Sequence, residues 1–246
     1  MEFTYKAYSI MIKKLYCSNY NICLYNDYNN YERIAILRHD VDNSLIKALE
    51  LAKFENSLKI KSTYFVLLST DFYNIASIKS LKIIKNIISL GHEIGLHFDE
   101  KKYNVFKDEE WEDSISYAIQ NELEIMENLI QTPIKVVSMH RPSKKLLGYD
   151  LKIGDIINTY SSEFFNGFKY ISDSRREWKE NVMNIIDEGK EKKLHILTHP
   201  FWYNEEEKNI ETTLNEFISN ASIERIEALK ANITDFEKIS GDKQKW

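Results

Sequence analysis

Ile34-Ala35-Ile36-Leu37-Arg38-His39-Asp40-Val41-Asp42 is the stretch that decides the fold. Its first four residues form a short, unbroken apolar run, as expected of a parallel strand buried on both faces, and the charged residues that follow mark a strand tip meeting solvent. Asn43 or Ser44 can then cap a helix running through Leu45, Ala48, Leu49 and Ala52. A strand that feeds directly into an amphipathic helix is half of a parallel β/α unit.

The alternation continues on both sides. Upstream, Tyr8, Met11, Ile12 and Leu15 share one face of an N-terminal helix from Phe3 to about Cys17. Downstream, residues 61–68 read as strand, 75–90 as an amphipathic helix stopped by Gly91, and 93–98 as strand. A helix from about Asp108 to Ile130 follows, with Pro133 marking its stop, and the acidic run Asp108-Glu109-Glu110 suits its N-terminal dipole. Strands at 134–140, near 170–172 and at 194–199, a helix over 178–189, and helices after about Ile210 complete the order. Strands alternating with helices of this length predict an α/β fold, a distorted (β/α) barrel first and a doubly wound sheet second. A single domain over 1–246 is expected, with an N-terminal helix and lead-in over 1–33, a barrel core over 34–203 and C-terminal helices over 204–246.

Composition narrows the function. Hydrophobic residues make up 43% and aromatics 13%, far from the make-up of a disordered chain. A net charge of −5 from intermixed acids and bases leaves no basic stripe for nucleic acid. No run approaches the roughly 18 apolar residues of a membrane span. The opening Met1-Glu2-Phe3-Thr4-Tyr5-Lys6 lacks the basic start and apolar run of a secretory leader, and Cys17 and Cys23 form no disulfide framework. A cytoplasmic protein with reduced thiols is therefore expected.

The informative pattern is positional. Asp40, Asp42, His97, His140, Asp173 and His199 all fall at or just past the C-terminal ends of expected strands, the edge where parallel β/α folds build active sites. Asp40 and Asp42 are two apart, so both carboxylates project to one face, where a cation relieves their repulsion. One can ligate a metal while the other serves as base to a water; an ordinary loop pair capping the next helix is the plain alternative. His97, with Asp99 and Glu100 close behind, offers the imidazole and carboxylate mixture that Zn²⁺ takes. His140 and His199 precede Arg141-Pro142 and Pro200, which keep the strand mouth out of helical geometry. His39 alternates to the opposite face, while His92 and His195 lie near strand starts, so these three read as structural. The aromatic cluster Phe201-Trp202-Tyr203 either lines a sugar groove or closes the barrel rim.

Taken in order, Arg38-His39-Asp40-Val41-Asp42, Gly91-His92-Glu93-Ile94-Gly95-Leu96-His97, His140-Arg141-Pro142, Ser172-Asp173-Ser174 and Thr198-His199-Pro200 resemble the motifs of polysaccharide deacetylases of the NodB-homology class. The likeness runs from about residue 34 to 203 and points to an atypical branch with a His-Asp-Val-Asp first motif. It implies a distorted barrel that removes an N-acetyl group from a sugar with one divalent metal, usually zinc. By position, Asp40 is similar to the family's base, Asp42 to its ligating aspartate and His97 to its first metal histidine. Arg141 resembles the arginine that pairs with the base, and His199 the histidine that protonates the departing amine. Asp173 and Trp202 are carried as substrate-binding or orienting candidates.

One position departs. The family's second metal histidine corresponds to Lys101, and an ammonium has no free lone pair to ligate with. His140 is the preferred replacement and Asp99 the alternative. The expectation is a metal-dependent deacetylase of an acetamido sugar in surface polysaccharide biosynthesis, of the O-antigen or capsule kind. The rivals are a non-catalytic carbohydrate-binding relative with a decayed site, or a barrel hydrolase acting on another amide or ester bond.

Overall fold

Thr4 opens helix α1 (Tyr5–Cys17) by accepting the Ala7 N–H on its hydroxyl, and the apolar face that follows is buried at Tyr8, Met11, Ile12 and Leu15. In chain order come β1 (Asn21–Cys23), β2 (Ile34–Val41), α2 (Leu45–Ser57), β3 (Thr63–Val66), α3 (Ile78–Ser89) and β4 (Glu93–Phe98). Then follow α4 (Trp111–Ile130), β5 (Val136–Met139), α5 (Lys144–Leu147), β6 (Ile157–Asn158), α6 (Ser162–Asn166), β7 (Lys169–Ser172), α7 (Val182–Glu188) and β8 (Lys193–Thr198). Helices α8 (Ile210–Asn232) and α9 (Phe236–Ser240) end the series. This computed structural model describes residues 1–103 and 110–240. The chain divides into two compact units, Met1–Glu205 and Glu206–Trp246.

Three helix boundaries that differ from the sequence expectation are set by local cap geometry. Ser77 accepts the Ser80 N–H, so α3 starts at Ile78, and Asn181 accepts from Met183 and Asn184, so α7 starts at Val182. Helix α4 ends on Gln131 in the left-handed region (φ 58°), before Pro133 is reached. Asp108 and Glu109 lie outside the described residues; Glu112 and Asp113 supply the acids of the first turn. Strands β1 and β6 went unforeseen because three and two residues are too few to show a period.

Every strand pairing is parallel, and the order is β6-β5-β4-β3-β2-β8-β7 with β1 beside the first half of β2. Read as a ring, that order follows the chain from β2 round to β8, which returns to pair with β2 over residues 34–39. A doubly wound sheet reverses direction at a switch point; this one does not. The result is a curled (β/α) barrel left open along one seam, between β6 and β7.

Alternation along β2 sorts its side chains. Ile34 and Ile36 turn to the concave face, where they meet Tyr25, Phe65, Val136, Phe164 and Phe168. Ala35 and Leu37 turn outward onto α1 and α7 residues such as Met11 and Val182. Val41 joins the larger outer layer with Leu96, Val137, Ile84 and Met126. Gly95 is needed on the concave side, since a Cβ there would come within 2.4 Å of the Phe65 ring. Gly91, at φ 90°, makes the turn into β4 that a side chain would strain.

His39 faces outward as its parity predicts, into a buried polar cluster. Its Nδ1 meets Thr198 Oγ1 at 2.6 Å and its Nε2 meets Glu55 at 2.9 Å. Glu55, fully buried on α2, also accepts from Tyr8, from Ser62 Oγ at 2.5 Å and from Tyr64 at 2.7 Å. Burial by itself raises this carboxyl, but the His39 and His92 imidazoles and the Ser62 hydroxyl outweigh it and hold it down at about 2. Because the folded value lies below the ordinary 4.5, the contribution to stability is complete above that pH and is lost as pH falls toward 2. Glu55→Leu strands several buried donors and should cost about 3–5 kcal/mol in denaturant unfolding at neutral pH. The variant should also lose less stability than the parent on acidification through that window.

Candidate metal centre and active site

The concave parity that buries Ile34 and Ile36 carries on through Arg38 and Asp40 to Asp42, just past the end of β2. On β4 the same face takes Gly95 and His97. Strand register pairs His97 with Ser138 on β5, and the His140 N–H donates to Phe98 O at 2.7 Å, which brings His140 to the same mouth. His199 follows β8 and Asp173 follows β7.

Three of these side chains converge. Asp42 Oδ1 lies 3.2 Å from His97 Nε2 and 3.3 Å from His140 Nδ1, and the two nitrogens are 3.1 Å apart. These are the residues able to hold a cation together among those described. Ligand atoms around a tetrahedral zinc at 2.0–2.1 Å lie about 3.3–3.4 Å from one another, so the triangle is within about 0.3 Å of the edge length such an ion requires. Asp42 Oδ1 is buried and accepts no hydrogen bond, as a ligating oxygen should be. The other nitrogen of His97, Nδ1, meets Ser138 Oγ at 2.7 Å, a partner that can take the Nδ1 proton and leave the Nε2 lone pair facing the triad. Burial raises the Asp42 carboxyl, yet His140, His97 and His199 together hold it far below the usual carboxylate range.

Asp99 turns elsewhere: its Oδ1 caps the 3₁₀ turn by accepting the Lys101 N–H at 3.1 Å, and Lys101 itself is exposed. His140 therefore occupies the third corner of the triad.

Beside the triad, Asp40 Oδ2 is 3.6 Å from His97 Nε2. Arg38 grips it with two bonds of 2.8 Å, Nε to Oδ1 and a terminal nitrogen to Oδ2. Burial pushes the Asp40 carboxyl up, and Arg38 foremost, with His97 and His199, brings it net below its ordinary value. This corrects the expectation for Arg141. Both Asp40 oxygens are already held by Arg38, while the Arg141 side chain is 66% exposed and sits 3.9 Å from Asp99. Arg141 stands at the cleft rim with a left-handed backbone (φ 50°).

Opposite, His199 Nδ1 meets Asp173 Oδ1 at 2.6 Å, and the His199 N–H donates to the other Asp173 oxygen at 3.0 Å. Its Nε2 points toward Asp42 Oδ2, 4.0 Å away. Burial disfavours the imidazolium, but Asp173, Asp40 and Asp42 outweigh burial and raise His199 to about 9. An open cleft of about 650 Å³ leads to the triad, lined by Asp42, His140, Arg141, Leu67, Ser69 and Phe72 among others. Trp202 lies half-buried in the 3₁₀ turn Pro200–Trp202, its ring against Phe201 at 4.8 Å, while Phe201 is buried and Tyr203 packs with Phe3 and Tyr8 in the outer layer. His195, read as structural, is a buried partner of the Tyr25 hydroxyl at 2.6 Å, and burial with Arg38 nearby lowers it to about 3.

Arg38, Ser138 and Thr159 were not singled out from sequence. Parity two residues before Asp40 would have found Arg38. Ser138 and Thr159 reach the site from other strands and carry no local mark.

No protein-family model matches the chain, and no curated protein does. Among solved structures it is similar to the peptidoglycan deacetylase PdaC from Bacillus subtilis, at 12% identity and TM-score 0.44, over 69% of this chain and 75% of that one. It is also similar to a CE4 family pseudoenzyme from Bacillus anthracis, at 15% and 0.44, over 77% of this chain and 62% of the other. A third is the Xyl-CE4 domain of a multidomain xylanase from the hindgut metagenome of Trinervitermes trinervoides, at 13% and 0.44, over 79% and 85%.

Metal titration followed by calorimetry checks the triad. His140→Ala and Asp42→Ala should each weaken zinc binding by more than the roughly 10–100-fold typical of losing an outer partner, Ser138→Ala should fall inside that range, and Asp99→Ala should leave affinity unchanged.

Proposed function

We propose that this chain is a metal-dependent N-deacetylase of acetamido sugars, a member of the atypical His-Asp-Val-Asp branch that its motifs resemble. The observation that carries the reading is the meeting, at one barrel mouth, of a ligand triad, a buried carboxylate pinned by an arginine, and a histidine raised by its own aspartate. Metal, base and acid are the parts that metal-assisted amide hydrolysis uses.

Asp42, His97 and His140 fit one divalent ion, zinc by their mixture of imidazole and carboxylate. Such an ion, when bound, polarises the acyl oxygen and acidifies a neighbouring water. Asp40, kept ionised by Arg38, accepts the proton of the water that attacks the acetyl carbon. His199, protonated through Asp173, passes a proton to the departing sugar nitrogen as the C–N bond breaks, leaving acetate and a free amine. Arg141, exposed at the cleft rim, is placed to orient the sugar, and Trp202 is the aromatic candidate for its apolar face. The rival reading of a decayed binding module drew on Lys101. With His140 beside Asp42 and His97, that departure no longer argues for a lost metal.

The substrate we favour is an acetamido sugar of a surface polysaccharide or its precursor, and the location a cytoplasmic one. Cys17 and Cys23, both free, suit a reducing compartment, and no helix among the described residues is long and apolar enough to cross a membrane.

Zinc-loaded protein should release free amine from at least one member of a panel of N-acetylated sugars. Asp40→Asn should keep its zinc and lose turnover by roughly 10²–10⁴-fold, the range for a positioned base, and His199→Gln by a similar factor. Sugar binding with no amine release anywhere in the panel sinks the enzymatic reading.

A further inference from the structure

Arg38 makes more contacts than its grip on Asp40 needs. Its remaining terminal nitrogen donates to Thr159 Oγ1 at 3.2 Å, and the nitrogen shared with Asp40 reaches the Tyr160 hydroxyl at 3.5 Å. The guanidinium carbon also lies over two rings, 5.3 Å from the Phe65 centroid and 5.0 Å from that of Tyr160. Ring contacts restrain tilt, but they leave a planar cation free to rotate within its own plane. The bond to Thr159, on the edge away from Asp40, fixes that rotation.

Thr159 is itself firmly held. It follows β6 directly, is buried, and its N–H donates to Val137 O at 3.0 Å. The preceding Asn158 bridges to Leu151 O and accepts the Tyr160 N–H, both at 3.0 Å. β6 is an edge strand at the open seam, and no backbone ladder joins it to β7. The Arg38 side chain therefore ties the end of β6 to β2 across the concave face.

We infer that Thr159, with Tyr160 beside it, is a positioning residue for the proposed reaction, setting the angle of the Arg38 guanidinium and through it the direction of the Asp40 carboxylate. The inference rests on the reading of Asp40 as the base. Thr159 is not a member of the triad, and in this reading it acts through Arg38. A carboxylate turned by a small angle still binds nothing less tightly, but it no longer faces the water it must deprotonate, so the effect falls on turnover.

Thr159→Val removes the hydroxyl at nearly constant volume, and Thr159→Ser keeps it. On the panel sugar that zinc-loaded parent cleaves fastest, the valine variant should lose kcat by roughly 10- to 100-fold, in line with ~100-fold for a misplacement near 1 Å. KM and zinc stoichiometry should stay at parental values, and the serine variant should recover most of the loss. Parental kcat in the valine variant overturns the inference. So does a serine variant as slow as the valine one, which marks a packing role, or loss of zinc along with kcat, which marks collapse of the site. If the parent releases no amine from any sugar, the base assignment fails and takes this inference with it; an active parent with an equally active valine variant refutes this inference alone.

Discussion

The pairing of Arg38 with Asp40 is the constraint around which the concave side of this barrel is arranged. Two charges inside a hydrophobic barrel are costly, at several kcal/mol of desolvation each, and such a pair survives only with good geometry and its other donors satisfied. Here the fork is bidentate, its carbon lies over the Phe65 and Tyr160 rings, and its far edge is bonded to Thr159. Packing alone would favour an apolar pair at these positions. What the charged pair offers is an ionised carboxylate of fixed direction beside three groups able to hold a cation.

The outer face of the same strand carries a second polar assembly with a complementary role. His39, one residue before Asp40, and Thr198, one residue before His199, are bonded to each other across β2 and β8, and Glu55 anchors the pair to α2. The strands that carry Asp40 and His199 are thereby locked together from behind. Concave and convex networks share a backbone but not a side chain, because period-two alternation sends adjacent residues to opposite layers.

In the triad, three groups able to hold a cation meet although Lys101 is not one of them. A lysine stands where the motif comparison places a histidine, and that lysine is exposed. The third donor comes instead from the end of the neighbouring strand, where β4–β5 register sets His140 beside His97. Asp99, which sequence parity also allowed, is drawn off by the Lys101 N–H into capping a turn. The choice between them depended on a hydrogen bond outside the triad.

The sequence by itself determined the α/β alternation, the barrel as first architecture, and the clustering of acids and imidazoles at strand ends, because hydrophobic period and strand parity are local properties of the chain. It also assigned His39 to the opposite face from Asp40 for the same reason. It left open which residue completes the triad, placed Arg141 beside Asp40 where Arg38 is found, and gave no hint of Ser138 or Thr159. Those questions belong to strand register, to turns such as that at Asp99, and to side chains that meet across the barrel from positions more than a hundred residues apart in the case of Arg38 and Thr159. Only the tertiary structure decides them, since hydrogen bonds between distant strands leave no period in the sequence to read.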